Sequence, residues 1–210
     1  MKTLLQKKYI AHLLIFSLIS LSTVAQETIR LRSNTEGFHI GIGGGYKHWL
    51  SSYFDRLDET EPMGLGGGLT IGYGLNQHIE LFATYDWHTF AFENQWDDYG
   101  FSVFGVGARY NFGGTLQAVR PFVEAAYNYQ DMVISPVSLG GLLYEYNLKG
   151  GAFSVGGGVN FFVAPKWAIQ AKAGANVGKF STFLVDQDGI QDRPDVKTFQ
   201  FGLGLSYYFN

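Results

Sequence analysis

The chain has 210 residues, no cysteine, and 15 basic against 18 acidic residues. Without cysteine it can form no disulfide scaffold, cysteine-ligated metal site or thiol nucleophile, and it cannot be a lipoprotein attached through cysteine. The acidic balance argues against a nucleic-acid partner, because phosphate binding needs clustered Lys and Arg.

At the N-terminus Lys2, Lys7 and Lys8 precede an apolar run from Leu13 to Leu21, and Ser22-Thr23-Val24-Ala25 follows with small residues. That order predicts a removable secretory signal over residues 1–25. The run is about half the roughly 20 residues of a transmembrane helix. Cleavage would take three of the 15 basic residues, leaving 12 against 18 acidic and a net charge near −6. Residues 26–36 read as a short lead-in and 37–210 as one domain.

From Gly37 onward, segments of period-two alternation recur between turn signals, which predicts strands near 37–49, 63–74, 78–92, 99–112, 120–130, 150–163, 167–180 and 197–209. Leu75-Asn76-Gln77, Gly113 to Val119 and Ala164-Pro165-Lys166 are short connections. Leu50 to Pro62, Glu93 to Asp98, Asp131 to Lys149 and Ser181 to Val196 are mostly longer and polar. This asymmetry matches short periplasmic turns and longer external loops, with both termini on the periplasmic side.

The two faces of these segments differ. One carries Phe38, Ile42, Leu65, Leu69, Tyr85, Trp87, Phe104, Val123, Tyr127, Phe153, Phe201 and Leu203 and no charge. The other carries Gly41, Gly43, Gly45, Gly66, Gly68, Gly107, Gly156, Gly158, Gly202 and Gly204, with Lys47, Glu80, Asp86, Arg109, Glu124 and Lys172. An eight-stranded interior is only just wide enough to be filled by side chains, so the glycine-and-charge face should point in and the bulky face out. A soluble barrel would instead put a continuous aromatic coat in water. The fold class expected is all-β, a transmembrane antiparallel up-and-down β-barrel of about eight strands. Alternation also explains a mean hydropathy of zero in a membrane protein, because lipid-facing and lumen-facing residues average out.

Gly105-Val106-Gly107-Ala108-Arg109-Tyr110-Asn111-Phe112 and Arg120-Pro121-Phe122-Val123-Glu124-Ala125 resemble the small outer-membrane β-barrel family of Gram-negative bacteria, the OmpA/OmpX-like and opacity-like barrels. Phe153 to Val163, Ala164-Pro165-Lys166-Trp167 and Gly202 to Phe209 look like later strands of the same domain. The resemblance implies location in the outer membrane, with outer-membrane lipids and lipopolysaccharide as surroundings and the barrel-assembly machinery as a partner. Tyr207 and Phe209 resemble the terminal aromatic assembly signal of such barrels, with Asn210 as one extra residue.

Inside the barrel, Glu80, Asp86, Arg109, Glu124 and Lys172 are the expected lumen charge network, since opposite charges in a narrow lumen pair rather than stand desolvated. Tyr53, Phe54, Trp96, Asp97 and Asp98 mix aromatics with acids in two external loops. They are candidates for contact with a surface ligand or protein partner, or acids facing the ion-bridged lipopolysaccharide layer. Asp86-Trp87-His88 and Asp186-Gln187-Asp188 look like the paired acids and imidazole of omptin proteases, but such short pairs arise readily by chance. In Asp186 to Asp192 the glycine comes too early for an EF-hand and no glutamate stands at the twelfth position, so a metal site is not expected. Gly41 to Gly45 and Gly64 to Gly68 open no helix and lack the lysine and hydroxyl of a phosphate loop. The reading is a non-enzymatic barrel without cofactor, with a structural envelope or surface-interaction role through its loops. A barrel enzyme acting on lipid or protein and a small passive pore are the alternatives.

Overall fold

The computed structural model describes residues 33–51, 63–90, 98–139 and 141–209. The expected signal over 1–25 and the loop residues Tyr53, Phe54, Trp96 and Asp97 lie outside the described residues. Nine strands are seen: β1 (Gly37–Trp49), β2 (Met63–Gly74), β3 (Ile79–Phe90), β4 (Asp98–Asn111), β5 (Val119–Leu139), β6 (Leu142–Ala164), β7 (Trp167–Val185), β8 (Asp188–Ile190) and β9 (Asp195–Tyr208).

Every neighbouring pair from β1 to β7 is antiparallel, and β9 pairs with both β1 and β7, so β1 to β7 and β9 close an eight-membered ring. Closure pairs each strand on both sides, which a span through hydrocarbon requires of its backbone N–H and C=O groups. Phe38, Ile42, Leu65, Trp87, Phe104, Tyr127, Phe153 and Leu203 are all exposed on the outside. Inward positions are bare where strands approach closely. A Cβ on Gly45 would collide with the Phe201 carbonyl oxygen.

The short turns share one end of the ring. In the β2–β3 turn, Asn76 Oδ1 accepts from the backbone N–H groups of His78 and Ile79 at 2.8 and 2.9 Å, closing the turn with one side chain.

The opposite end departs from the sequence expectation. Asp131 to Lys149 is not a loop, because β5 continues to Leu139 and β6 begins at Leu142; likewise β7 continues to Val185 and β8 follows within the expected Ser181 to Val196 loop. β5, β6 and β7 are 21, 23 and 19 residues long, against about 9–11 for a tilted membrane crossing. The strands continue because Met132, Ile134, Leu148 and Phe183 keep the alternation and are buried together. The β5–β6 register shifts between Ile134 and Val137, on either side of Pro136, which has no N–H to donate.

Asp186 and Gln187 turn β7 into β8 with positive φ of 48° and 78°. That is the two-residue turn whose twist matches a hairpin. The Asp186 carboxylate accepts from the Glu145 N–H at 2.8 Å, and the Asp186 N–H donates to the Glu145 carbonyl at 3.0 Å. The acidic run read as a loop tip is therefore a turn tied to β6.

Candidate functional site

The inward side chains form four levels between the short-turn end and the long-strand end. At the short-turn end, Arg120 is fully buried at the start of β5. Its Nε donates to the Phe112 carbonyl at 3.2 Å, Nη1 to Thr35 Oγ1 at 2.8 Å, and Nη2 to the Gln77 carbonyl. Thr35 Oγ1 donates in turn to the same Gln77 carbonyl at 2.8 Å. One guanidinium so ties the segment before β1 to the β2–β3 turn and to the end of β4. Beside it Tyr208 stacks on His39, with ring centroids 4.9 Å apart, and packs on Phe162 and Ala168.

Above this lies an ion-paired ladder. Glu80, Arg109 and Glu124 are directly opposed on β3, β4 and β5, so the register places the cation between two carboxylates. Arg109 Nη1 is 3.2 Å from Glu80 Oε1, while Nε and Nη2 both donate to Glu124 Oε2 at 2.9 and 2.7 Å. His39 Nε2 lies 3.6 Å from Glu80 Oε1, and Asn111 Nδ2 donates to Glu80 Oε2 at 3.4 Å. The guanidinium also lies over the Phe122 ring at 4.3 Å and near the Phe82 ring at 5.3 Å. Apolar walls and paired partners make each charge here dependent on the others.

The middle level is a polar chamber. Asp86 and Lys172 line the same cavity but do not ion-pair with each other or with Arg109 among the described residues. Asp86 instead accepts from Thr84 Oγ1 at 3.2 Å. Asn128 donates to Asn176 at 2.8 Å, and Asn176 to Thr198 Oγ1 at 3.0 Å, a chain that reaches from β5 over β6 to β7 and β9. Two cavities remain, of about 40 and 30 Å³, each the size of one or two water molecules.

The top level corrects the expectation of a glycine-and-charge lumen throughout. Trp49, Phe90, Phe101, Val103, Met132, Ile134, Leu148, Phe180, Phe183 and Val196 form one buried apolar cluster inside the long-strand end. Phe90 and Phe101 meet edge to face at 6.5 Å, and the Trp49 indole N–H donates to the Ser51 carbonyl at 2.8 Å. Lys47, fully buried, places its ammonium 4.7 Å from the Phe101 ring centroid, a cation–π contact at the boundary between chamber and plug.

Of the five expected lumen charges, the structure therefore joins Glu80, Arg109 and Glu124 and leaves Asp86 and Lys172 facing the chamber. Arg120, His39, Lys47 and Tyr208 belong to the same interior and were not singled out; inward parity with Phe122 and Glu124 was the available signal for Arg120. Asp86 and His88 point inward with Trp87 outward, while Asp186 is engaged with Glu145, so no contact joins the two acidic pairs. Asp98 opens β4. Tyr207 and Phe209 pack edge to face at 4.9 Å, and Tyr207 meets Trp167 at 4.8 Å on the outer wall. On the outer face near the long-strand rim, a hydrogen bond from Lys149 to Asp131, 3.1 Å away, holds that ammonium above its ordinary pKa.

A family model described as "Outer membrane protein beta-barrel domain" matches residues 13–209. No curated relative matches the chain in sequence. Among solved structures, Neisserial surface protein A superposes with a TM-score of 0.62 at 18% identity, covering 83% of this chain and 98% of that one. OprG from Pseudomonas aeruginosa gives 0.56 at 15%, covering 84% and 98%. Ail, the attachment invasion locus protein of Yersinia pestis, gives 0.53 at 16%, covering 82% and 100%. At these identities the likeness is one of fold.

Proposed function

We propose that this chain, which belongs to the outer membrane protein β-barrel domain family, works as a sealed, non-enzymatic scaffold that presents structure on the cell surface. Membership implies the outer membrane of a Gram-negative cell. In this reading the short-turn end faces the periplasm and the long-strand end faces outward, as the turn asymmetry of such barrels suggests.

The observation that carries the reading is double closure combined with protrusion. An apolar plug fills one end of the lumen, and the Arg120 and Tyr208 layer fills the other. Meanwhile β5, β6 and β7 extend about ten residues past a membrane crossing, forming a rigid outer sheet. A barrel built to pass solutes gains nothing from a plug. Recognition residues held on a rigid scaffold are a common arrangement. That Ail is described as an attachment protein supports a surface-interaction role only as an analogy of fold.

The test is an epitope inserted after Gly141 at the β5–β6 tip. Antibody staining of intact cells is expected. Staining only after outer-membrane permeabilisation would refute the orientation and with it the presentation role.

A further inference from the structure

On the outer wall near the long-strand rim the register brings three lysines above an apolar row. Tyr127, Phe153, Val177 and Lys197 stand opposite one another across β5, β6, β7 and β9. The next row is Tyr129, Gly151, Lys179 and Asp195, and Lys149 pairs with Asp131 above it. Gly151 contributes no side chain, and a Cβ there would strike the Tyr127 hydroxyl. The result is an open groove of about 500 Å³ between Tyr127, Phe153 and Val177 below and Lys179 and Lys197 above.

Cations are confined to this sector. Near the same rim, the outward positions of β1 to β4 include His48, Met63, Trp87, Thr89 and Ser102, none of them Lys or Arg. Asp131 and Asp195 pair with Lys149 and Lys179 at 3.1 and 3.4 Å, whereas Lys197 makes no ion pair among the described residues. Both acids lie above the apolar row, so a phosphoryl group beside Lys197 can share the three cations while a chain attached to it runs down over Phe153 and Val177.

We infer that this groove is a binding site for a phosphorylated, acylated glycolipid of the outer leaflet. The phosphoryl group sits among Lys149, Lys179 and Lys197, and one acyl chain lies in the notch left by Gly151. Charge and apolar contact at adjacent heights fit an amphiphile and not a free anion. The inference rests on the orientation proposed above, because only the outward rim meets that leaflet.

The experiment uses the purified full-length barrel in detergent, with bisphosphorylated lipid A added as the probe and retention read by native mass spectrometry. The wild type should retain lipid A, and K149Q/K179Q/K197Q should retain it about tenfold less, as expected when three lysines near an anionic lipid lose their charge. Dephosphorylated lipid A should bind the wild type as weakly as lipid A binds the triple variant. Gly151→Leu, which fills the notch and keeps the cations, should also lower retention. Equal retention by wild type and triple variant, or of both lipids by the wild type, overturns the site. Displacement of lipid A by millimolar inorganic phosphate would show a free-anion site and overturns the lipid assignment. Folding is read separately from heat-modifiable migration, and the exposed lysine variants keep the test decisive if the Gly151 variant fails to fold. If the epitope at Gly141 proves periplasmic, orientation fails while the binding result in detergent stands on its own.

Discussion

Arg109 and Glu124 face each other across β4 and β5, and the guanidinium grips one carboxylate oxygen through two hydrogen bonds of 2.9 and 2.7 Å. Glu80, opposed to Arg109 on its other side, completes the ladder at 3.2 Å. Removing the central cation leaves two buried carboxylates without their partner. Arg109→Met should therefore cost about 3–5 kcal/mol. Urea unfolding of the barrel in lipid vesicles measures it, and the triple change R109M/E80Q/E124Q should recover much of the loss. An unchanged midpoint for Arg109→Met would show that the ladder is not a stabilising element.

A second prediction concerns the plug. Phe101 is fully buried between Trp49 and Phe90 and carries the Lys47 ammonium on its face. Phe101→Ala should cost about 3–5 kcal/mol through lost burial and the cavity left behind. The same vesicle unfolding assay reads it; a cost below about 1 kcal/mol would mean that the cluster collapses around the gap.

The β7–β8 turn offers a change of opposite sign. Gln187 holds a φ of 78°, a left-handed conformation that L side chains adopt only at a cost. Gln187→Gly should relieve that cost and stabilise the hairpin by roughly 1 kcal/mol, partly offset by a more flexible unfolded chain. Hydrogen exchange at the Glu145 and Asp186 amides should slow. Faster exchange would show that the turn draws its conformation from contacts of the Gln187 side chain.

How far this fold could be read from sequence depends on the kind of information. The alternation of Phe38, Ile42, Leu65 and Tyr85 against Gly41, Gly43, Gly66 and Asp86 fixes faces, because a strand has a period of two. That same parity puts Glu80, Arg109 and Glu124 inside. It does not give register, so it could not say that these three meet while Asp86 and Lys172 do not. The β5–β6 extension was missed because Ser135, Pro136, Ser138, Gly140 and Gly141 read as loop residues, although Met132, Ile134, Tyr144, Tyr146 and Leu148 keep the strand period. The plug was missed for a related reason. Phe101 and Val103 fall on the inward parity of β4, but a sequence carries no depth coordinate to say that the lumen turns apolar there.

Presentation by the flanking loops is a separate prediction. Replacing Leu50 to Glu61 and Glu93 to Asp98 with short Gly/Ser turns should leave the ring folded, since these segments lie between paired strands. The stripped barrel should fail to rescue the surface-attachment phenotype of a deletion strain. Full rescue would rule out recognition through Tyr53, Phe54, Trp96, Asp97 and Asp98.

The sealed lumen is the central claim, and single-channel recording in planar bilayers tests it most directly. With an apolar plug at one end, the Arg120 and Tyr208 layer at the other and only water-sized cavities between, the purified wild-type protein should show no steady conductance. Large, stable channels that appear in proportion to the protein added would contradict the account and make the barrel a pore.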